Sequence, residues 1–429
     1  MTDTRCVVVG GGPAGMVLGL LLARGGVRVT VLEKHADFLR DFRGDTVHAS
    51  TLTLLDELGL GPEFARLPGR LVDHVTVELD AGSVTIGLDR LPGAHQHIAM
   101  VPQWDFLELL ATAAEREPTF TLIRNAEVTG LITEGGRVAG VRYRDRTERG
   151  APAQDPPAEQ EIRAVLTVGC DGRGSVVRAA AGLATRSFGA PMDVWWFRLP
   201  RHDTDRTGLI GRMSAGHMAV MIDRGDYWQC AYLISKGSDD SLRAAGIEAL
   251  RAEFAGLLPW TADRLTAIRD WDDVKLLDVK LDRVRRWSTD GLLLIGDAAH
   301  AMSPVGGVGI NLAVADAVAA ARLLAPHLRT GQVPPAQLAS VQRRRRWPTA
   351  IIQGGQRLAH RFVLAPRVRG DAGKTGDRGS GRAKPTRLPL PLRLVARWPA
   401  LQALPGRMVA IGPLPEHAPE WARRAPAHP

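Results

Sequence analysis

The chain is poor in cysteine. Cys6, Cys170 and Cys230 are an odd, scattered set among 429 residues, with no Cys-x-x-Cys pair and no Cys/His ligand spacing. That argues against a zinc site or a disulfide framework, and each thiol reads as a small buried apolar group. Long hydrophobic runs are also lacking. Near the N-terminus the longest is Met16–Ala23, far below the roughly 20 residues that span a bilayer, so stable membrane insertion is not expected. Met1–Cys6 lacks a signal-peptide layout, because a strand pattern and a Gly-rich turn follow at once. The expected location is the cytoplasm. No internal repeat, metal cluster or Ser-His-Asp set is evident.

A basic balance of +9 would suit a nucleic-acid partner, but its distribution does not. Residues 341–429 carry 18 Lys/Arg against 4 Asp/Glu, which places +14 there and leaves −5 on the rest. The excess is a C-terminal feature without a helix-turn-helix, zinc-finger or RNA-binding signature, so no nucleic-acid partner is expected. Apolar residues at 45% and charged residues at 24% are the balance of a globular protein.

Arg5–Val9 reads as a buried strand, followed by a Gly-rich turn, an Ala/Leu-rich helix to about Arg24, and a strand at Val27–Leu32. This strand-turn-helix-strand unit implies a parallel sheet. His48–Leu60 and Trp104–Glu115 read as helices, Val72–Leu88 as a strand pair, and Glu127–Tyr143 and Glu161–Val168 as strands around a polar loop. From about Phe188 to Val279 aromatic and β-branched strands dominate, with one helix at Ser241–Leu257. Ala313–Leu324 and Pro335–Arg361 read as helices, the second kinked or broken at Pro348. Arg367–Arg387 is Gly-, Lys- and Arg-rich and reads as a solvated linker, with an electrostatic contact to a partner or membrane surface as the alternative, and Leu388–Arg424 is broken by prolines.

The expected fold is α/β: a Rossmann-like domain with a parallel sheet, a mainly antiparallel β-sheet substrate domain, and C-terminal helices. The domains interleave. Residues 1–72, 101–187 and 281–330 form the first, 73–100 and 188–280 the second, and 331–429 the C-terminal helices and basic tail.

Gly10-Gly11-Gly12-Pro13-Ala14-Gly15 fits G-x-G-x-x-G between strand and helix. The first Gly permits the turn, the second lets a pyrophosphate approach, and the third lets helix and strand pack closely. The helix start offers N–H groups and a positive dipole end to phosphates. Glu33 ends the next strand, 18 residues after Gly15, where a carboxylate can accept ribose hydroxyls. It weighs against a 2′-phosphate. Asp171-Gly172 follows another strand, and Gly296-Asp297 ends a third before the loop Ser303–Leu312 enters a helix. Glycines in that loop allow backbone to lie against a flat ring. N–H groups of Ile310 and Asn311 stand at the helix start, where they can stabilise negative charge.

These three motifs, spread over about Arg5–Leu324, resemble the FAD-dependent group A flavoprotein monooxygenases, the para-hydroxybenzoate-hydroxylase-like family. The resemblance implies FAD as cofactor, with NADH or NADPH and O2 as co-substrates. It implies oxygenation of an aromatic or polyketide-like small molecule through a flavin C4a-hydroperoxide. No second Gly-rich turn is present, as expected if the nicotinamide docks transiently. By the same resemblance, Gly10, Gly12, Pro13, Ala14 and Gly15 hold the pyrophosphate, and Glu33 with the adjacent Lys34 the adenosine end. Arg43 and Gln103 reach the cofactor, and Asp171 serves both FAD and the nicotinamide path. Gly296 and Asp297 serve the ribityl chain, and Pro304, Gly307, Gly309, Ile310 and Asn311 the ring. Asp171, Ser175 and Arg178 also read as local turn and capping groups.

The second lobe is expected to roof the flavin, with His48, Trp195, Phe197, His217, Trp228 and Tyr232 as pocket candidates. Each of the aromatic ones has packing between sheet and helix as its alternative. His48 alternatively reads as an exposed helix-start residue. His300 is a tempting base inside a structural motif. A flavin dehydrogenase or reductase, a halogenase and a non-catalytic flavoprotein remain alternatives. For halogenation, Trp195-Trp196-Phe197-Arg198-Leu199-Pro200 only approaches the Trp-x-Trp-x-Ile-Pro signature. The protein is expected to be a monomer or homodimer.

Overall fold

The computed structural model describes residues 4–39, 46–80, 82–147, 158–214, 216–361 and 406–425. Arg43 and the basic stretch Arg367–Arg387 lie outside them.

Cys6–Val9 is a strand because four apolar, mostly β-branched residues can be buried on both faces, and all four are. It pairs in parallel with Val29–Leu32 on one side and Leu166–Gly169 on the other. Phe120–Ile123 and Leu292–Leu294 extend this six-stranded sheet in parallel, and Ser288–Thr289 closes one edge antiparallel. Helices Pro13–Arg24 and Gly309–Thr330 bury Leu, Val and Ala against it. The second helix is long and apolar enough to cross a membrane, but 67% of its apolar window is buried inside the protein. It is a core helix.

A seven-stranded sheet forms the other layer. Its order is Lys275–Leu277, Met192–Pro200, Tyr227–Ser235, His217–Asp223, Leu209–Ser214, His74–Leu79 and Gly82–Gly87. All pairings are antiparallel except Leu209–Ser214 with His74–Leu79. The expected single helix at Ser241–Leu257 is two, Asp239–Ala244 and Ile247–Leu257. They part at Gly246, whose φ of 89° ends the first helix. The sequence reading also passed over strand Leu209–Ser214, whose Gly211 and Arg212 hide its β pattern. Glu161–Val168 divides between two sheets, as Gln160–Arg163 and Leu166–Gly169. Helix Pro335–Ala359 runs through Pro348 without ending.

Alternation along the seven-stranded sheet decides what faces the parallel layer. Trp195, Phe197 and Leu199 pair with Tyr232, Cys230 and Trp228. All six pack on the outer face with Leu250, Phe254 and Leu265. Trp196 points the opposite way and packs against Met192, Val194, Ala231 and Val279, as do Met218, Val220, Leu233 and Val305.

Candidate functional site

The strand ends Val9, Gly169 and Leu294 are adjacent in one sheet, so the three motifs after them meet at its carboxyl edge. Gly10 has φ +103°, and a Cβ there would lie 2.6 Å from the Cys170 carbonyl oxygen. A Cβ on Gly15 would lie 1.9 Å from the Gly10 carbonyl oxygen, so helix and turn touch through backbone alone. At Gly296 a Cβ would meet Ala14 and Ala313 at 3.2 and 3.3 Å, which locks the third motif against both flanking helices. Gly12 is different. Among the described residues nothing lies within 4 Å of its would-be Cβ, and it starts helix Pro13–Arg24 without a side-chain cap. Helix Gly309–Thr330 also begins uncapped, at Val308. Two helix starts thus present first-turn N–H groups at this edge.

Glu33 is buried at the end of its strand. Its carboxylate accepts the Gly11 N–H at 2.9 Å and the His35 N–H at 3.1 Å, tying the strand end to the glycine turn. Lys34 beside it is exposed. Asp171 lies inside its own turn. Its carboxylate accepts the Ser175 hydroxyl at 2.6 Å and the Val177 N–H at 3.1 Å, while burial raises its pKa. Ser175 in turn accepts the Arg178 N–H at 2.9 Å. The local capping reading of Asp171 and Ser175 is the one these bonds match. Arg178 reaches further: its guanidinium donates to the Arg173 carbonyl at 2.7 Å and the Ala298 carbonyl at 2.9 Å, bridging the second and third motifs. Asp297 stands half-buried, 3.8 Å from the Arg173 guanidinium. Gln103 is half-buried at the start of helix Gln103–Glu115.

Pro304–Asn311 forms the loop and the start of the long helix. Thr46 donates its hydroxyl to the Gly307 carbonyl at 2.8 Å. Asn311 accepts the His48 N–H at 3.1 Å and the Thr51 hydroxyl at 2.6 Å on one oxygen, leaving its Nδ2 buried without a partner among the described residues. The exposed placement of His48 is corrected here. It is fully buried, and its Nδ1 donates to the Val409 carbonyl at 2.8 Å. Burial lowers its pKa to about 4, so the ring is neutral.

Five pocket candidates are corrected as well. Trp195, Phe197, Trp228 and Tyr232 pack on the outer face of the sheet, against helices and away from Val305. His217 is on that face too, stacked on Tyr232. Trp196 faces inward, and its Nε1 is buried without a partner among the described residues.

Sequence reasoning missed the residues that hold the loop from behind. Gln356 donates to the carbonyls of Ser303 and Val305, both at 2.9 Å, and accepts the Ser303 N–H at 3.2 Å. Gln353 donates to the Asp282 and Ala301 carbonyls. His360 meets the Ser303 hydroxyl at 2.8 Å. Their spacing of three and four residues puts them on one helix face, a polar stripe that was there to be read. Asp316, fully buried, accepts the Gly296 N–H at 3.1 Å, the His300 Nε2 at 2.5 Å and the Arg345 Nε at 3.0 Å. Its pKa stays low because His300 and Arg345 outweigh the burial that raises it. His300 is thereby bound into a structural network.

The site can hold a dinucleotide whose phosphates meet the open face of Gly12 and whose flat ring lies by the Pro304–Asn311 loop. A family model described as FAD binding domain matches residues 3–353. The chain belongs to the FAD-dependent group A flavoprotein monooxygenases. It is 34% identical over 414 residues to 6-methylpretetramide 4-monooxygenase of Streptomyces rimosus, covering 95% of this chain and 92% of that protein. Among solved structures it resembles a probable FAD-dependent monooxygenase of Pseudomonas aeruginosa, PqsL. The TM-score is 0.71 at 20% identity, over 86% of this chain and 99% of that one. It also resembles the anhydrotetracycline hydroxylase OxyS of Streptomyces rimosus, with TM-score 0.71 at 22% identity, over 95% and 76% of the two chains. This monooxygenase is an FAD-dependent oxidoreductase.

Proposed function

We infer that the enzyme hydroxylates a polycyclic aromatic, polyketide-like small molecule in the cytoplasm, with NADH or NADPH as reductant. One observation carries the substrate class: the near full-length likeness to an enzyme named for 6-methylpretetramide. The inner face of the seven-stranded sheet supports it. Trp196, Met218, Val220 and Leu233 form an apolar wall with Val305 beside it, suited to a flat, fused-ring substrate. Bound FAD supplies the redox chemistry, taking reducing equivalents from the nicotinamide and placing one oxygen atom of O2 on carbon.

The chain's own residues bind, orient and exclude water. First-turn N–H groups after Gly12 hold the pyrophosphate, with Gly10, Pro13, Ala14 and Gly15 shaping the turn. Glu33 and Lys34 take the adenosine end, and Asp297 after Gly296 takes the ribityl hydroxyls. Pro304, Gly307, Gly309, Ile310 and Asn311 line the ring, with Gln103 also at the cofactor. Asp171 acts through the turn that it holds. The interleaved division of the chain into cofactor and substrate domains, and a monomeric or homodimeric state, belong to the same reading.

A screen of NADH and NADPH oxidation against fused-ring aromatic and polyketide compounds, reading hydrogen peroxide and product together, tests the substrate class. Fused-ring compounds are expected to stimulate oxidation with little peroxide. Stimulation confined to single-ring or aliphatic compounds would overturn it.

A further inference from the structure

Residues 406–425 lie beyond the matched residues 3–353, yet they return to the cofactor edge at two places. The first is the ring loop. Met408 and Val409 pack with Met302, Val308 and Leu312, and a Cβ on Gly306 would lie 3.7 Å from the Val409 side chain. The Val409 carbonyl accepts the His48 Nδ1–H at 2.8 Å. His48 also gives its backbone N–H to Asn311, so one residue grips both the returning segment and the start of the long helix.

The second place is the Gly296 turn. Glu416 is buried and accepts two bonds from Arg344, at 2.7 and 2.9 Å, and one from Arg345 at 3.4 Å. Arg345 gives a further bond to the Leu414 carbonyl at 3.0 Å and joins Asp316 at 3.0 Å. Asp316 then holds the Gly296 N–H and His300. Arg345, Asp316 and Glu416 have side chains at most 1% exposed, so each charge depends on its partners. The route from Glu416 to Gly296 is an unbroken series of direct bonds.

We propose that the segment Gly406–Glu416 is a latch for the flavin site, with Glu416, Arg345 and His48 as positioning residues that set the Gly296 turn and the ring loop for FAD. The proposal rests on FAD occupying this edge. The turn and the loop lie at the two ends of the stretch Gly296–Asn311, and a cofactor binds more tightly where both are fixed before it arrives. Anchors further along keep the segment in place: the Glu57 carboxylate accepts the Ala418 N–H at 2.7 Å, and the Trp421 ring lies against Gly25.

The test compares the parent chain with Glu416→Gln and His48→Leu, each stripped of FAD and titrated with it. Flavin fluorescence gives the dissociation constant, and melting is followed with and without FAD. Each variant is expected to bind FAD at least tenfold more weakly, and the rise in melting temperature on adding FAD is expected to shrink. A purely structural role would lower melting equally in both states, leaving the FAD-induced rise and the dissociation constant unchanged. That result overturns the latch. If Glu416→Gln yields no soluble protein, Arg344→Gln takes its place, since that side chain is 38% exposed. A smaller loss in the same direction is expected there, and unchanged affinity overturns the proposal. A parent chain that takes up no FAD would instead contradict the cofactor assignment.

Discussion

Gly12 and Gly15 sit three residues apart and do opposite things. Gly15 has the Gly10 carbonyl oxygen 1.9 Å from where a Cβ would stand, while Gly12 has nothing within 4 Å among the described residues. Gly15→Ala should therefore fail to fold or melt far earlier. Gly12→Ala should leave the melting of the FAD-free protein within about 0.5 kcal/mol yet weaken FAD binding at least tenfold, because its methyl stands where phosphate approaches. Calorimetry and fluorescence titration read both. His48 gives a pH prediction. Its pKa is lowered from 6.5 to about 4 by burial, so the unfolded chain binds this proton more tightly than the folded one. Stability falls as pH drops from 6.5 toward 4, by about 3 kcal/mol from this group. Denaturant unfolding across that range should show a shallower slope in His48→Leu. A slope equal to the parent's would contradict the buried neutral ring. The glycine and acidic motifs were legible because backbone chemistry dictates their residue types. The state of His48 was not, because its burial depends on Val409, hundreds of residues away in sequence.

At the scale of elements, the same alternation that was visible in the sequence leaves one question open. Period two separates Trp195 and Phe197 from Trp196, but it does not say which face meets the flavin layer. That is set by the helices Asp239–Ala244 and Ile247–Leu257, which cover the outer face. Two substitutions one residue apart should therefore part company. Trp195→Ala empties a packed site and should cost about 3–5 kcal/mol of stability, with substrate KM little changed in the folded fraction. Trp196→Ala should raise substrate KM and hydrogen peroxide release while destabilising less. Steady-state kinetics with a peroxide assay and thermal melts check the pair; equal effects on KM would sink the facial assignment. Helix Pro335–Ala359 was expected from its pattern, but not the work of its polar stripe. Gln356→Ala should leave three backbone groups of the Ser303–Val305 loop without partners, at about 1–3 kcal/mol each where they stay buried. FAD retention on gel filtration should fall with it.

Across the whole molecule, local order survived in the sequence and long-range closure did not. The parallel sheet follows from motif order, since each strand-turn-helix unit carries its own chemistry. The interlocked C-terminal segment follows from buried charges, Asp316, Arg345 and Glu416, that look like surface residues until their partners are known. A ligand that binds only the folded chain stabilises it by about 2.7 kcal/mol at one hundred times its dissociation constant, so FAD should raise the melting temperature measurably. NAD(P)H alone should do so far less, lacking a glycine turn of its own. Monooxygenation makes the sharper claim, because it requires that water be kept from the reacting centre. The direct measurement is turnover under isotopically labelled O2 with a fused-ring aromatic substrate, read by mass spectrometry of the product. One labelled oxygen atom per product molecule is predicted. A product oxidised without label, or carrying oxygen from water, would contradict the assignment.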